Sequence, residues 1–224
     1  MLKADFHMHT WFSNDCGTSP KKLVDRCIQV GLNCIAVTDH NSIRGALQVQ
    51  QMAPFMVIIG EEIRTSEGEI TGLFLKTSIP PDLPIVDTAR KIKEQGGLVS
   101  IPHPFDHFRR TVVTRPGLNE VLPYADIVEV FNSRNTFSSD NQKALVIAQE
   151  KGLLCSAVSD AHTIYELGRT YMELPDFDGT PEGFKSSLAQ ATLITRKVNP
   201  LVHLVTSFVK IKTRLGKHKR ELPS

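Results

Sequence analysis

The chain has four cysteines in 224 residues and no C-x-x-C pair among them. Cys16, Cys27, Cys34 and Cys155 are scattered, and two of them, Cys34 and Cys155, lie inside apolar, strand-like runs. They read as reduced core residues, which argues against a disulfide frame or a thiolate metal site. An excess of one charge is also missing: 26 Lys and Arg against 24 Asp and Glu leave a formal +2. That balance does not demand nucleic acid or an anionic membrane as partner. No run approaches the ~18 apolar residues of a membrane span, and the opening residues show no basic segment followed by an apolar one. These absences set the expectation of a cytoplasmic protein without a membrane partner. Fixed-period repeats and low-complexity tracts are absent as well.

What is present is an alternation of strand-like and helix-like stretches. KADFHM, NCIAVTDH, FMVIIGEE, EITGLFLK, LVSIPHP, DIVEVFNSR and LLCSAVSDAH read as strands, and most are separated by amphipathic segments. TSPKKLVDRCIQVG carries the punctuation of a helix, with Thr18 or Ser19 as N-cap, Pro20 in the first turn, Leu23, Cys27 and Val30 on one face, and Gly31 as stop. Runs such as CIAV, MVII and LLCSAV have no polar face, as parallel strands covered by helices require. The expected fold is α/β, a distorted TIM-like (β/α)7 barrel, with an open doubly wound sheet as the alternative. Residues 1–196 are expected to form the domain, and 197–224 to form an amphipathic helix with a basic, solvated tail.

Polar residues fall at one recurrent place. His7 and His9 close the first strand, Asp39 and His40 the second, and Glu61 and Glu62 the third. Glu69 opens the fourth, while His103, Asn132, and Asp160 with His162 follow the fifth, sixth and seventh. In a β/α barrel the carboxyl ends of the strands share one mouth, so these side chains should converge. Taken singly, each has a structural reading: an exposed strand histidine, a helix cap, a solvated carboxylate pair. Taken together, five of the eight histidines at equivalent positions point to a metal centre. Imidazole and carboxylate donors without thiolate suit Mn, Fe or Zn, and their number exceeds what one tetrahedral ion uses.

HMHTWFSND, AVTDHNSI, IIGEEI, SIPHPFDHFRR, VEVFN and SDAH, in that order, resemble the motifs of the polymerase-and-histidinol-phosphatase (PHP) superfamily of metal-dependent phosphoesterases. The likeness runs from Lys3 to Ile194, with the segment after SDAH resembling the family's associated C-terminal piece. It implies two or three divalent ions: His7, His9, Glu62 and Asp160 around the first, Asp15, His40 and His162 around the second, and Glu62, His103 and Glu69 around a third. The chain departs from the pattern at Glu69, where many members carry histidine, and at His107, where close relatives carry arginine.

The implied activity is hydrolysis of a phosphate ester, a small phosphomonoester, a nucleotide or an oligonucleotide end, by a metal-activated hydroxide. Asp160 and His162 are candidates for a proton relay, and Arg109, Arg110 and Arg134, with Arg44 behind them, for neutralising the phosphoryl charge. Trp11, Phe12, Phe105, Phe108 and Phe137 lie near the motifs and either pack the rim or stack a base. Two other classes share features of this pattern. One is an amidohydrolase-like barrel, which begins with H-x-H but predicts neither TDH nor the histidine of SDAH. The other is a metal-stabilised regulatory domain, in which ligands are often lost. No stretch decides the oligomeric state.

Overall fold

The computed structural model describes residues 1–198 and 206–211. The strands are β1 (Leu2–Asp5), β2 (Cys34–Val37), β3 (Met56–Thr65), β4 (Gly68–Leu73), β5 (Leu98–Ile101), β6 (Ile127–Asn132), β7 (Leu154–Val158), β8 (Tyr171–Leu174) and β9 (Thr192–Ile194). The helices between them are α1 (Pro20–Val30), α2 (Arg44–Met52), α3 (Ile85–Glu94), α4 (Arg115–Val121), α5 (Ser138–Lys151) and α6 (Pro181–Leu188). Residues 206–211 are helical. The remainder of the C-terminal helix and basic tail expected over 197–224 lies, apart from Lys197 and Val198, outside the described residues.

The strands form one sheet in the order β7-β6-β5-β4-β3-β2-β1-β8-β9. It curls into a nearly closed barrel. Beyond the end of β1, Met8 bridges Ala161 in parallel, and the His9 N–H donates to the Ala161 carbonyl at 2.9 Å. This seam joins the first strand to the end of the seventh and puts HMH and SDAH side by side.

The strands β1, β2 and β3 are mutually parallel, as are β5, β6 and β7. The strand β4 runs against both of its neighbours. It folds back from β3 through a tight turn, Thr65 pairing with Gly68. Gly68 holds a φ of +127°, and a Cβ there would lie 2.4 Å from the Val113 backbone. The reversal explains Glu69: an antiparallel strand brings its amino end to the mouth where the parallel strands bring their carboxyl ends.

Two apolar clusters sandwich the sheet. Ile35 and Val37 of β2 belong with Leu23 of α1, Ala46 and Val49 of α2 and Ile92 of α3. The alternate residues Cys34 and Ala36 belong with Met172, Leu174 and Phe184. Phe184, from α6, is fully buried and sets its ring edge-on to Phe6, Phe74 and Phe177, with centroids 4.8, 5.3 and 5.5 Å away. Alternation along a strand assigns successive side chains to the two layers. This is why β2 shows no polar residue until Thr38.

Helix α1 begins as its sequence indicates. Ser19 is the N-cap, its Oγ accepting from the Lys22 N–H, Pro20 occupies the first turn, and Gly31 closes the helix at φ +76°.

Candidate metal centre

At the mouth the strand ends bring nine of the expected ligands together. His7 and His9 flank Met8, whose side chain is wholly buried in the core, so alternation turns both imidazoles to the opposite side. His7 Nε2 and His9 Nε2 lie 3.1 Å apart. Glu62 Oε2 sits 3.4 Å from the first and 3.5 Å from the second. Asp160 Oδ1 sits 3.6 and 3.4 Å from the same two nitrogens. Four donors at ~2.1 Å from one ion form a tetrahedron with edges of about 3.4 Å. Five edges of this cage, 3.1 to 3.6 Å, match that figure.

A second group adjoins it. His40 Nε2 and His162 Nε2 lie 3.4 and 3.5 Å from Asp15 Oδ2. On the far side of Glu62, His103 Nε2 is 3.0 Å from Glu62 Oε1. His40 Nδ1 is 3.1 Å from Glu62 Oε2 and 3.7 Å from Glu69 Oε1. Glu62 therefore stands between groups, with its two oxygens facing different nitrogens.

The donor set fits divalent cations on two further counts. Buried side-chain atoms without a hydrogen-bond partner among the described residues include Asp15 Oδ1, Glu62 Oε2, Glu69 Oε2, His103 Nδ1 and Asp160 Oδ1. Such atoms are costly unless something compensates them. His103 and Asp160 also hold left-handed backbone, at φ 29° and 52°, a strain of about 1–3 kcal/mol each that clusters at functional sites.

Neighbouring groups orient the imidazoles. Glu129 Oε1 lies 2.6 Å from His7 Nδ1, while Glu129 Oε2 accepts the His103 N–H and an Asn132 amide hydrogen at 3.0 Å each. A carboxylate on Nδ1 fixes the tautomer that leaves Nε2 free to coordinate. His162 Nδ1 lies 2.9 Å from the Asp160 carbonyl, and His9 Nδ1 lies 3.1 Å from Ser13 Oγ. Asp39 is outside the cage: it accepts from the Thr10 N–H, Thr10 Oγ1 and Ser13 Oγ at 2.6–2.7 Å and so ties down the loop after His9. Glu61 faces away from the cage, accepting from Ser78 Oγ and the Ile79 N–H.

The electrostatics follow from burial and crowding. Burial lowers His9 and His162 to about 4, so both are neutral donors at neutral pH. Burial opposes a charge on His7 too, but Glu129, Asp160 and Glu62 outweigh it and raise that group. Glu62 and Asp160 pay a burial penalty that cations overcome, His7 and His40 for the first and Arg109 and His7 for the second, so both are held below the usual carboxylate range. Glu69 is raised, by burial and by the neighbouring Glu62 charge.

The arginines differ in placement. Arg109 binds Asp160 through Nη2 and Asp106 through Nε at 3.1 Å. Arg134 is buried and donates to Glu166 at 3.1 Å and to Thr206 at 3.0 Å. Glu166 in turn accepts the His162 and Thr163 N–H groups at 3.0 and 2.8 Å. All three, Arg109, Arg110 and Arg134, line a cavity of about 730 Å³ above Asp15, His40 and His162. Arg44 instead sits over the Phe12 ring, 4.9 Å from its centroid. Phe105 packs against the core, whereas Phe108 and Phe137 are exposed and stack at 5.6 Å; Trp11 is partly exposed. His107 points to Asp140, its Nδ1 2.8 Å from Oδ1, and lies outside the cage.

The PHP domain matches residues 5–152, and the PHP-associated domain matches residues 138–192. The chain belongs to the PHP family. An uncharacterized protein of Methanocaldococcus jannaschii is 35% identical over 181 residues, 79% of this chain and 72% of the relative. Among solved structures, a two-domain protein from Bacteroides vulgatus, described as containing a predicted PHP-like metal-dependent phosphoesterase, superposes with a TM-score of 0.69 at 23% identity. That match covers 85% of this chain and 64% of the other, so the PHP protein spans under two thirds of its neighbour. The lesion-specific endonuclease of Pyrococcus furiosus superposes with a TM-score of 0.56 at 15% identity over 89% of this chain and 59% of that one. At these identities both structures show the fold.

Glu129, Glu166 and Asp106 were not among the sequence candidates, although each orients a residue that was. Glu129 had a signal, a lone carboxylate between Val128 and Val130 in an apolar strand.

Proposed function

We propose that this PHP protein is a metal-dependent phosphoesterase with two or three divalent ions, Mn, Fe or Zn, at the barrel mouth. The observation that carries the reading is the cage of His7, His9, Glu62 and Asp160, whose donor separations of 3.1–3.6 Å suit one ion. Asp15, His40 and His162 would hold a second ion, and His103, Glu69 and the outer oxygen of Glu62 a third. When bound, such ions lower the pKa of water toward ~7 and polarise phosphoryl oxygens.

The chain's own residues do the rest. Glu129, Ser13 and the Asp160 carbonyl aim the imidazoles, so that little reorganisation is left for the moment of binding. Arg109, Arg110 and Arg134 line the wall where a phosphoryl group would lie, and guanidinium donors suit its oxygens. Asp160 Oδ2 accepts from Arg109 and from Asn132, at 3.1 Å for the latter; kept charged by that pairing, it would anchor Arg109 beside the phosphoryl group rather than carry a proton. A cavity of about 730 Å³ is of the size that takes a nucleotide or a small sugar phosphate. The lesion-specific endonuclease among the neighbours supports keeping an oligonucleotide among the substrates.

The test is hydrolysis of p-nitrophenyl phosphate and of its bis-ester by manganese-reconstituted protein, with Asp160→Asn as control. Turnover that falls at least 100-fold in the control is expected. Equal rates in both proteins would overturn the reading.

A further inference from the structure

We infer that the helical stretch 206–211 completes the site, with Lys210 as a phosphate-binding residue of the barrel mouth. The inference deepens the phosphoesterase reading and rests on it for the nature of the ligand.

Residues 206–211 form a helical stretch far in sequence from the strand ends that carry the candidate ligands, yet Thr206, Ser207 and Lys210 line the same cavity as His40 and His162. Two polar ties hold it there. Thr206 is buried and its Oγ1 accepts from Arg134 at 3.0 Å. Lys210 Nζ lies 3.0 Å from Asp15 Oδ2, the oxygen nearest His40 and His162. Spacing explains why both reach inward, since residues four apart share a helix face. The intervening Phe208 is exposed, on another face.

The partner of Lys210 is the informative part. Asp15 belongs to the donor set of the second ion, and a divalent cation competes for that carboxylate far better than an ammonium does. Were Asp15 so engaged, the half-exposed ammonium would be left at the cavity wall, free to meet an anion that enters it. Two of the arginines around it differ: Arg109 keeps Asp106, and Arg134 keeps Glu166 and Thr206. Lys210 is thus a compact point charge on a flexible stem, suited to a phosphoryl oxygen that arrives with substrate.

Calorimetry with inorganic phosphate and kinetics with p-nitrophenyl phosphate, both on manganese-loaded full chain, test the assignment in Lys210→Ala and Lys210→Arg. The alanine variant is expected to bind phosphate about 10-fold more weakly and to show KM raised about 10-fold with kcat within 2-fold, as loss of one charge-assisted hydrogen bond implies. Lys210→Arg is expected to recover most of the affinity, and manganese content should be the same in all three proteins. Unchanged phosphate affinity and KM in Lys210→Ala would overturn the inference, as would loss of manganese from that variant, which would make Lys210 part of the ion site. A wild type that binds phosphate through Lys210 but hydrolyses no ester would uphold the inference while overturning the proposed function.

Discussion

At the scale of single residues, the site depends on which nitrogen of each histidine is free. Glu129 decides this for His7, and through its other oxygen it also holds the backbone of His103 and the Asn132 amide. Glu129→Gln keeps the shape but removes the charge that favours the Nδ1–H tautomer. Its manganese affinity is expected to fall about 10- to 100-fold, as for other carboxylates behind metal-bound histidines, measured by calorimetric titration of the metal-free protein. The proposed ligands were legible because H-x-H, TDH and SDAH place polar residues abruptly at the ends of apolar runs. Glu129 was not, because it works from within a strand, through another side chain. Lys210 was not legible either, since nothing in LVTSFVKIK says which strand end it meets. Three of the four cysteines, Cys16, Cys27 and Cys34, lie in the core as the sequence implied, whereas Cys155 is only partly buried. Cys27 and Cys34 are buried, and burial pushes both thiols up to about 12. The raised value keeps the proton on sulfur at pH 9 in the folded state, and burial keeps reagent away. Iodoacetamide at pH 9 is expected to leave both unmodified until denaturant is added, as mass spectrometry of tryptic peptides would show; labelling of the native protein at Cys27 or Cys34 would contradict their burial.

At the scale of elements, the barrel was readable from its rhythm and its one reversal was not. Apolar β2, β3, β6 and β7 announce buried strands, and periodicity carries no direction, so EITGLFLK reads the same parallel or antiparallel. The two-residue link between β3 and β4 is too short for a crossover helix and allows only the antiparallel pairing. That pairing is what lets Glu69 reach the mouth. A second element-level constraint is the packing of α2 against the loop after His9. A Cβ on Gly45 would lie 1.9 Å from Asp39 Oδ2 and 2.4 Å from Thr10 Oγ1. Gly45→Ala must therefore push Asp39 off Thr10 and Ser13 and disturb the loop that carries Asp15. The expected loss is about 1–3 kcal/mol of stability together with weaker metal binding, measured by urea denaturation and metal titration. At the start of α1, Ser19→Ala removes only the cap and should cost about 1 kcal/mol with metal binding unchanged.

At the scale of the whole molecule, the seam between Met8 and Ala161 closes the barrel with residues that stand between the proposed ligands. An ion held by His7, His9, Glu62 and Asp160 would join the first, third and seventh strands across that seam. Binding only to the folded state then stabilises the entire barrel. At manganese 100-fold above its Kd the gain is about 2.7 kcal/mol, which for a chain of this size raises Tm by roughly 5–10 °C. Addition of EDTA in a thermal melt should reverse the rise. The measurement closest to the central claim is the number of manganese ions retained per chain after reconstitution and gel filtration, by inductively coupled plasma mass spectrometry, on wild type and on the His7→Ala, His9→Ala double variant. Two or three ions in the wild type and at least one fewer in the variant are expected. No retained ion in the wild type, or the same number in both proteins, would contradict the account.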